Sequence, residues 1–138
     1  MVLVVSLFDY HRFAAVSTDS CGVARANLNR ASDYANAYKY RDAYKATLLG
    51  LAANKKCLDV PATLINGGFL LSTKAIAEYA FQQRGDSAAD LKHAIDLLDR
   101  CQRIVPKLRG KASDLCAKQE RRDIDTQRQL TKKQITVY

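Results

Sequence analysis

Four cysteines, Cys21, Cys57, Cys101 and Cys116, constrain this chain more than any other residues it carries. An even count with no CxxC pair favours two disulfides and an oxidising compartment. Four cysteines allow three connectivities. Spacing ranks these once the turns of the chain are placed.

The decisive stretch is "YANAYKYRDAY", Tyr34 to Tyr44. Upstream of it Ala24, Leu28, Ala31, Ala35 and Tyr38 form one helical stripe. The next positions on that face are Asp42 and Lys45, whereas the apolar residues move to Tyr40, Tyr44, Thr47, Leu48 and Leu51. The buried face therefore changes phase between Tyr38 and Tyr40. A tight turn there gives each half one apolar face. One long helix with two buried faces is the alternative, favoured by the lack of Gly, Pro or a good N-cap at Lys39 or Tyr40.

With the turn at Lys39, Cys21 lies eighteen residues before it and Cys57 eighteen after. In an antiparallel hairpin the two meet at the open end. On one straight helix they would stand about 50 Å apart at 1.5 Å per residue, beyond any disulfide. Cys101 and Cys116 likewise flank a turn signalled by Pro106 and Gly110, each about two helical turns away. The expected pairs are Cys21–Cys57 and Cys101–Cys116. Free buried thiols in a cytosolic protein are the competing reading. Zinc fits poorly, because the gaps of 36, 44 and 15 residues hold no close ligand pair and the only histidines are His11 and His93.

The remaining elements are read from caps and periodicity. Asp19 or Ser20 can cap a first helix starting near Gly22. Asp59 caps a third, with Pro61 in its first turn. That helix runs through Leu64, Ile65, Phe69, Leu71, Ile76 and Tyr79 to about Arg84. Its apolar positions nearly encircle it, which predicts the central helix. Gly67-Gly68 inside it implies close approach of a neighbour or a kink, in preference to a groove for a ligand. "RGDS", Arg84–Ser87, is expected to end the helix, with Gly85 in the left-handed position and Asp86 or Ser87 capping the next. Its place between helices accounts for it without invoking the adhesion signal that it matches. A fourth helix over Ala88–Val105 buries Leu91, Ala94, Ile95, Leu98, Cys101 and Val105. It turns Lys92, Asp96, Asp99 and Arg103 outward. A fifth starts near Ala112 with Leu115 and Cys116 facing in, and its apolar pattern fades beyond Ala117.

The expected fold is all-α: an antiparallel helical bundle of about five helices arranged as hairpins. Six glycines and two prolines in 138 residues leave little for a loop-rich β protein. The helical domain spans residues 19–125, and residues 126–138 read as a mobile basic tail. Residues 1–18, "MVLVVSLFDYHRFAAVST", read as a degenerate signal peptide or as a flexible leader or short strand. The apolar run is short and lacks a preceding basic residue, but Ala15–Ser17 has the small residues of a cleavage site.

Antiparallel hairpins with alanine at packing positions resemble tetratricopeptide repeats. "ASDYANAYKYRDAYKATLLGL" is similar to one unit, with Ala31 and Tyr34 on its first helix and Ala43 and Gly50 on its second. "RGDSAADLKHAIDLLDRCQRIVP" is similar to the second helix of another, with Ala94, Leu98, Cys101 and Pro106. Ala43 and Ala94 stand 51 residues apart, longer than the family unit of about 34. The resemblance implies a protein-binding scaffold and no catalytic residues.

Net charge is +8, and residues 100–138 carry most of it, with eleven Lys/Arg against four Asp/Glu. Arg100, Arg103, Lys107, Arg109, Lys111, Lys118, Arg121 and Arg122 form a candidate anion-binding cluster around one hairpin tip. It has no interleaved aromatics for stacking on single strands. A solvated helix face is the plainer reading of it. No P-loop, GxGxxG, HExxH or GxSxG occurs, and the carboxylates are scattered, most of them beside Lys or Arg at helical spacing. The expectation is a non-enzymatic, periplasmic or secreted module without cofactor or metal, whose partner is another protein. The alternative is a cytoplasmic protein that binds nucleic acid through its basic third. No stretch is long and apolar enough for a transmembrane helix.

Overall fold

The structure is a computed structural model that describes residues 19–104 and 110–137, with side chains described up to 104 and over 113–130. The expected leader, and Lys107 and Arg109, lie outside the described residues.

The tyrosine stretch is a turn. Helix α1 runs over Ser20–Asn36 and α2 over Tyr40–Asn54. Between them Tyr38 takes a left-handed φ of 61°. The Tyr38 N–H donates to Ala35 O at 3.0 Å, and the Lys39 N–H reaches back to Tyr34 O at 2.8 Å. These are the two bonds of a Schellman closure, made here without glycine. A left-handed non-glycine residue costs about 1–2 kcal/mol. Here the α1–α2 packing and the paired carbonyls offset it. The phase change is thus resolved by reversing the chain, and α2 starts at once with no side-chain cap at Lys39.

Helix α3 covers Val60–Ala80. Asp59 caps it by accepting from the Ala62 N–H at 3.1 Å, and Pro61 sits in its first turn. Its end differs from the expected one. Gln82, not Gly85, takes the left-handed position, with φ 62°. The Gln82 and Gln83 N–H groups donate to Tyr79 O and Glu78 O, a second Schellman closure. Arg84–Ser87 therefore opens helix α4, Arg84–Ile104, instead of ending α3. Ser87 is buried and donates its hydroxyl to Ala75 O at 2.8 Å, tying the start of α4 to α3. Helix α5 spans Gly110–Val137.

The five helices form two antiparallel hairpins, α1–α2 and α3–α4, with α5 returning along α4. No strand occurs among the described residues. Helix α3 is the centre: α1, α2, α4 and α5 all pack on it. Leu28, Leu64, Ile65, Phe69, Leu70, Leu98, Cys101, Leu115 and Cys116 make one core cluster around it. Both expected disulfides are present. Cys21–Cys57, with Cα atoms 4.6 Å apart, closes the open end of the first hairpin. Cys101–Cys116, at 6.4 Å, joins the end of α4 to α5.

The fade in the fifth helix is one of residue type and not of burial. Cys116, Gln119, Asp123, Thr126 and Leu130 are all buried, at a spacing of three and four. The helix continues through the 125/126 boundary with Thr126 and Leu130 in the interior.

Gly68 answers half of the diglycine question. A Cβ there would lie 2.7 Å from Leu98 Cδ2 and 2.8 Å from Leu98 Cγ, so α4 approaches α3 through its missing side chain. A Cβ on Gly85 would meet nothing within 4 Å. Gly68→Ala is expected to lower stability in urea melts by about 1–3 kcal/mol through overpacking. Gly85→Ala, inside the first turn of α4, is expected to raise it by about 0.4–1 kcal/mol. Equal effects at the two sites would contradict this packing.

Candidate functional site

Helices α2 and α4 flank α3 and leave one strip of it uncovered. Because α3 is apolar on nearly every side, that strip becomes the floor of a groove. Thr63, Gly67, Leu71 and Lys74 form the floor at a spacing of four, four and three. Leu48, Leu51, Ala52 and Asn54 of α2, with Lys55 just after it, make one wall, and His93 and Leu97 of α4 the other. The cavity is about 490 Å³, within the range of small-molecule sites. Gly67 widens it: a Cβ would lie 3.0 Å from both Asn54 Nδ2 and Leu97 Cδ1. Both glycines thus bear out the close-approach reading, Gly68 toward Leu98 and Gly67 toward Asn54 and Leu97, and Gly67 also forms part of the groove floor.

The ends of the groove are polar. At one, Asn54 Nδ2 donates to Thr63 O at 3.0 Å, while Asn54 Oδ1 is buried without a hydrogen-bond partner. At the other, Lys74 Nζ lies 2.8 Å from Asp90 Oδ2 and 3.4 Å from Glu78 Oε2. Burial works against the Lys74 charge, but Asp90 and Glu78 together hold its pKa above the ordinary value. Glu78 is almost wholly buried, and burial with the nearby Asp90 pushes its carboxyl up to about 8 against the opposing pull of Lys74.

Lys74 also stands 5.9 Å over the Tyr44 ring, linking the groove to an aromatic ledge. Tyr44 meets Phe81 edge to face at 6.3 Å, and Tyr38 meets Tyr40 in the same way at 6.3 Å. Tyr40 and Tyr44 are one helical turn apart on α2, so the two ring pairs are neighbours in one aromatic ledge. It lies where both left-handed turns sit, at one end of the bundle. Tyr38 is 79% exposed and Phe81 39%.

A second polar constellation lies inside. Asp123 of α5 is fully buried; its Oδ1 accepts from Gln119 Nε2 at 3.0 Å and its Oδ2 lies 2.5 Å from Ser72 Oγ of α3. Ser72 Oγ also lies 2.9 Å from Gly68 O. One hydroxyl proton cannot serve both acceptors. In the ionised state the Ser72 hydroxyl donates to the Asp123 carboxylate; once protonated, Asp123 can itself donate to Ser72 and free the Ser72 proton for Gly68 O. Burial raises the Asp123 pKa to about 7, against the lowering effect of Ser72 and Gln119.

The basic cluster is only partly gathered. Arg100 and Arg103 are exposed on α4, 3.8 Å from Asp96 and 2.6 Å from Asp99. Lys118 and Arg121 are exposed on α5, Arg122 is half-buried, and the Lys111 side chain lies outside those described. Sequence reasoning missed both the groove and the Ser72–Asp123 contact. The diglycine was the sole sign of the first, and the helical spacing of Gln119, Asp123 and Thr126 the sole sign of the second.

Among the described residues no helix is long and apolar enough to cross a membrane, and no three His, Cys, Asp or Glu are grouped to hold a metal. No family model, curated protein or solved structure matches the chain.

Asp123 and Glu78 fix the sign of a pH dependence. Each has a folded pKa above its unfolded value, so each contributes stability that is full below about pH 4 and is lost as pH rises toward 8. The protein is expected to unfold at lower urea at pH 8 than at pH 5. Asp123→Asn mimics the protonated acid. It is expected to exceed the wild type at pH 8, by on the order of 1–4 kcal/mol at about 1.4 kcal/mol per pKa unit. The gain should shrink toward pH 4. A variant destabilised equally at both pH values would contradict the buried acid being protonated.

Proposed function

We propose that this protein is an exported, disulfide-stapled, non-enzymatic helical module that binds another protein. The observation that carries the reading is the aromatic ledge of Tyr38, Tyr40, Tyr44 and Phe81. Aromatic side chains supply large contact area at low entropy cost and dominate the energetic centres of protein interfaces. Tyr38 and Phe81 stand on short turns anchored by two Schellman closures, and Tyr40 and Tyr44 on the first turns of α2, so little backbone ordering is left for binding to impose. Two disulfides with no free cysteine support export, because such bonds persist in oxidising compartments. The hairpin arrangement is also consistent with the scaffold role implied by a repeat-like resemblance.

The test is cross-linking in the extracytoplasmic fraction of the native host, comparing the wild type with a Tyr38→Ala/Phe81→Ala double variant. Both side chains are exposed enough for the fold to survive, which circular dichroism checks. A discrete partner whose yield falls about tenfold or more, as for truncated aromatic hot spots, supports the reading. The same partners at the same yield would contradict it.

A further inference from the structure

We propose that the groove between α2, α3 and α4 binds a single-chain anionic amphiphile, its aliphatic chain along Gly67 and Leu71 and its head group at Lys55. This goes beyond the protein-binding reading and stands on different residues.

Three observations carry it. The first is shape. The floor runs from Thr63 to Lys74, eleven helical steps and so about 16 Å at 1.5 Å per step, a span that suits an extended chain of roughly ten to twelve carbons. The second is the distribution of polarity. Leu48, Leu51, Leu71 and Leu97 supply the apolar lining; Asn54, Lys55 and Thr63 stand at one end, Lys74 at the other, and His93 on the α4 wall between them. An apolar chain between those ends loses little hydration that it would keep elsewhere, and each buried methylene favours binding.

The third is charge complementarity. The charged or titratable side chains that line the groove are Lys55, Lys74 and His93, with no carboxylate among them. Lys74 is already matched by Asp90. Lys55 makes no ion pair with a described residue and lies exposed at the opposite end, beside Asn54 and Thr63. A ligand anion is therefore drawn to the Lys55 end and the chain terminus lies toward Lys74. A cationic amphiphile has no partner in this lining. Leu48 is 43% exposed at the rim, an unfavourable state that an aliphatic chain in the groove relieves.

The experiment is isothermal titration of the full chain, disulfides intact, with dodecanoate below its micelle concentration. Dodecyltrimethylammonium serves as the head-group control and butyrate as the chain control. Saturable one-to-one binding of dodecanoate is expected, with both controls at least about tenfold weaker, the loss of one ion pair or of most of the buried methylenes. Lys55→Glu and Leu48→Glu place a carboxylate at the head and at the middle of the groove. Both positions are exposed or half-exposed, so both variants should fold, and each is expected to weaken dodecanoate about tenfold or more. Absence of saturable binding, equal affinity for the cationic amphiphile, or wild-type affinity in either variant overturns the proposal. None of these results bears on the aromatic ledge, whose variants leave the groove lining intact.

Discussion

An α-helix that is apolar on nearly every side cannot stay in water, and α3 is such a helix. Its burial dictates the rest of the molecule. Four neighbours are needed to cover it, and the chain supplies them as α1, α2, α4 and α5. Covering it closely requires Gly68, through which Leu98 of α4 enters. Covering it in four pieces leaves a seam, because α2 and α4 do not close over Gly67 and Leu71. Core and groove are thus consequences of one constraint.

Reversing the chain sharply enough to surround α3 falls to Tyr38 and Gln82. Both are left-handed without the help of glycine, and both are locked by paired carbonyls of the preceding helix. The disulfides secure other points of the bundle. Cys21–Cys57 closes the end of the first hairpin opposite Tyr38, and Cys101–Cys116 holds α5 to α4. Each staple removes freedom from the unfolded chain, more for the longer loop. The aromatic ledge stands at the turn end, away from the first staple.

What was legible in the sequence is what periodicity and caps report directly. The phase change at Tyr38–Tyr40 located the first turn, and Asp19 and Asp59 marked two helix starts. The symmetry of the cysteines about two turns gave their pairing. Gln82 was not legible, because the usual mark of a left-handed closure is glycine, and the nearby Gly85 drew the expectation three residues too far. The inner face of α5 was hidden because Gln119, Asp123 and Thr126 are polar types, and counting apolar residues discards them. The Ser72–Asp123 contact makes those positions interior by hydrogen bonding in place of apolarity. Only the diglycine hinted at the groove, and its extent could not be read. It arises from the separation of two helices over a third, and no local pattern encodes that distance.

The central claim is that the chain doubles back at Tyr38 and is stapled twice around α3. Peptide mapping of the unreduced protein tests it most directly, since Lys or Arg lies between every two successive cysteines and trypsin separates all four. The fold requires one linked pair containing Cys21 and Cys57 and another containing Cys101 and Cys116. A peptide joining Cys57 to Cys101 or to Cys116 would contradict it, as would four free thiols in protein taken from its native host.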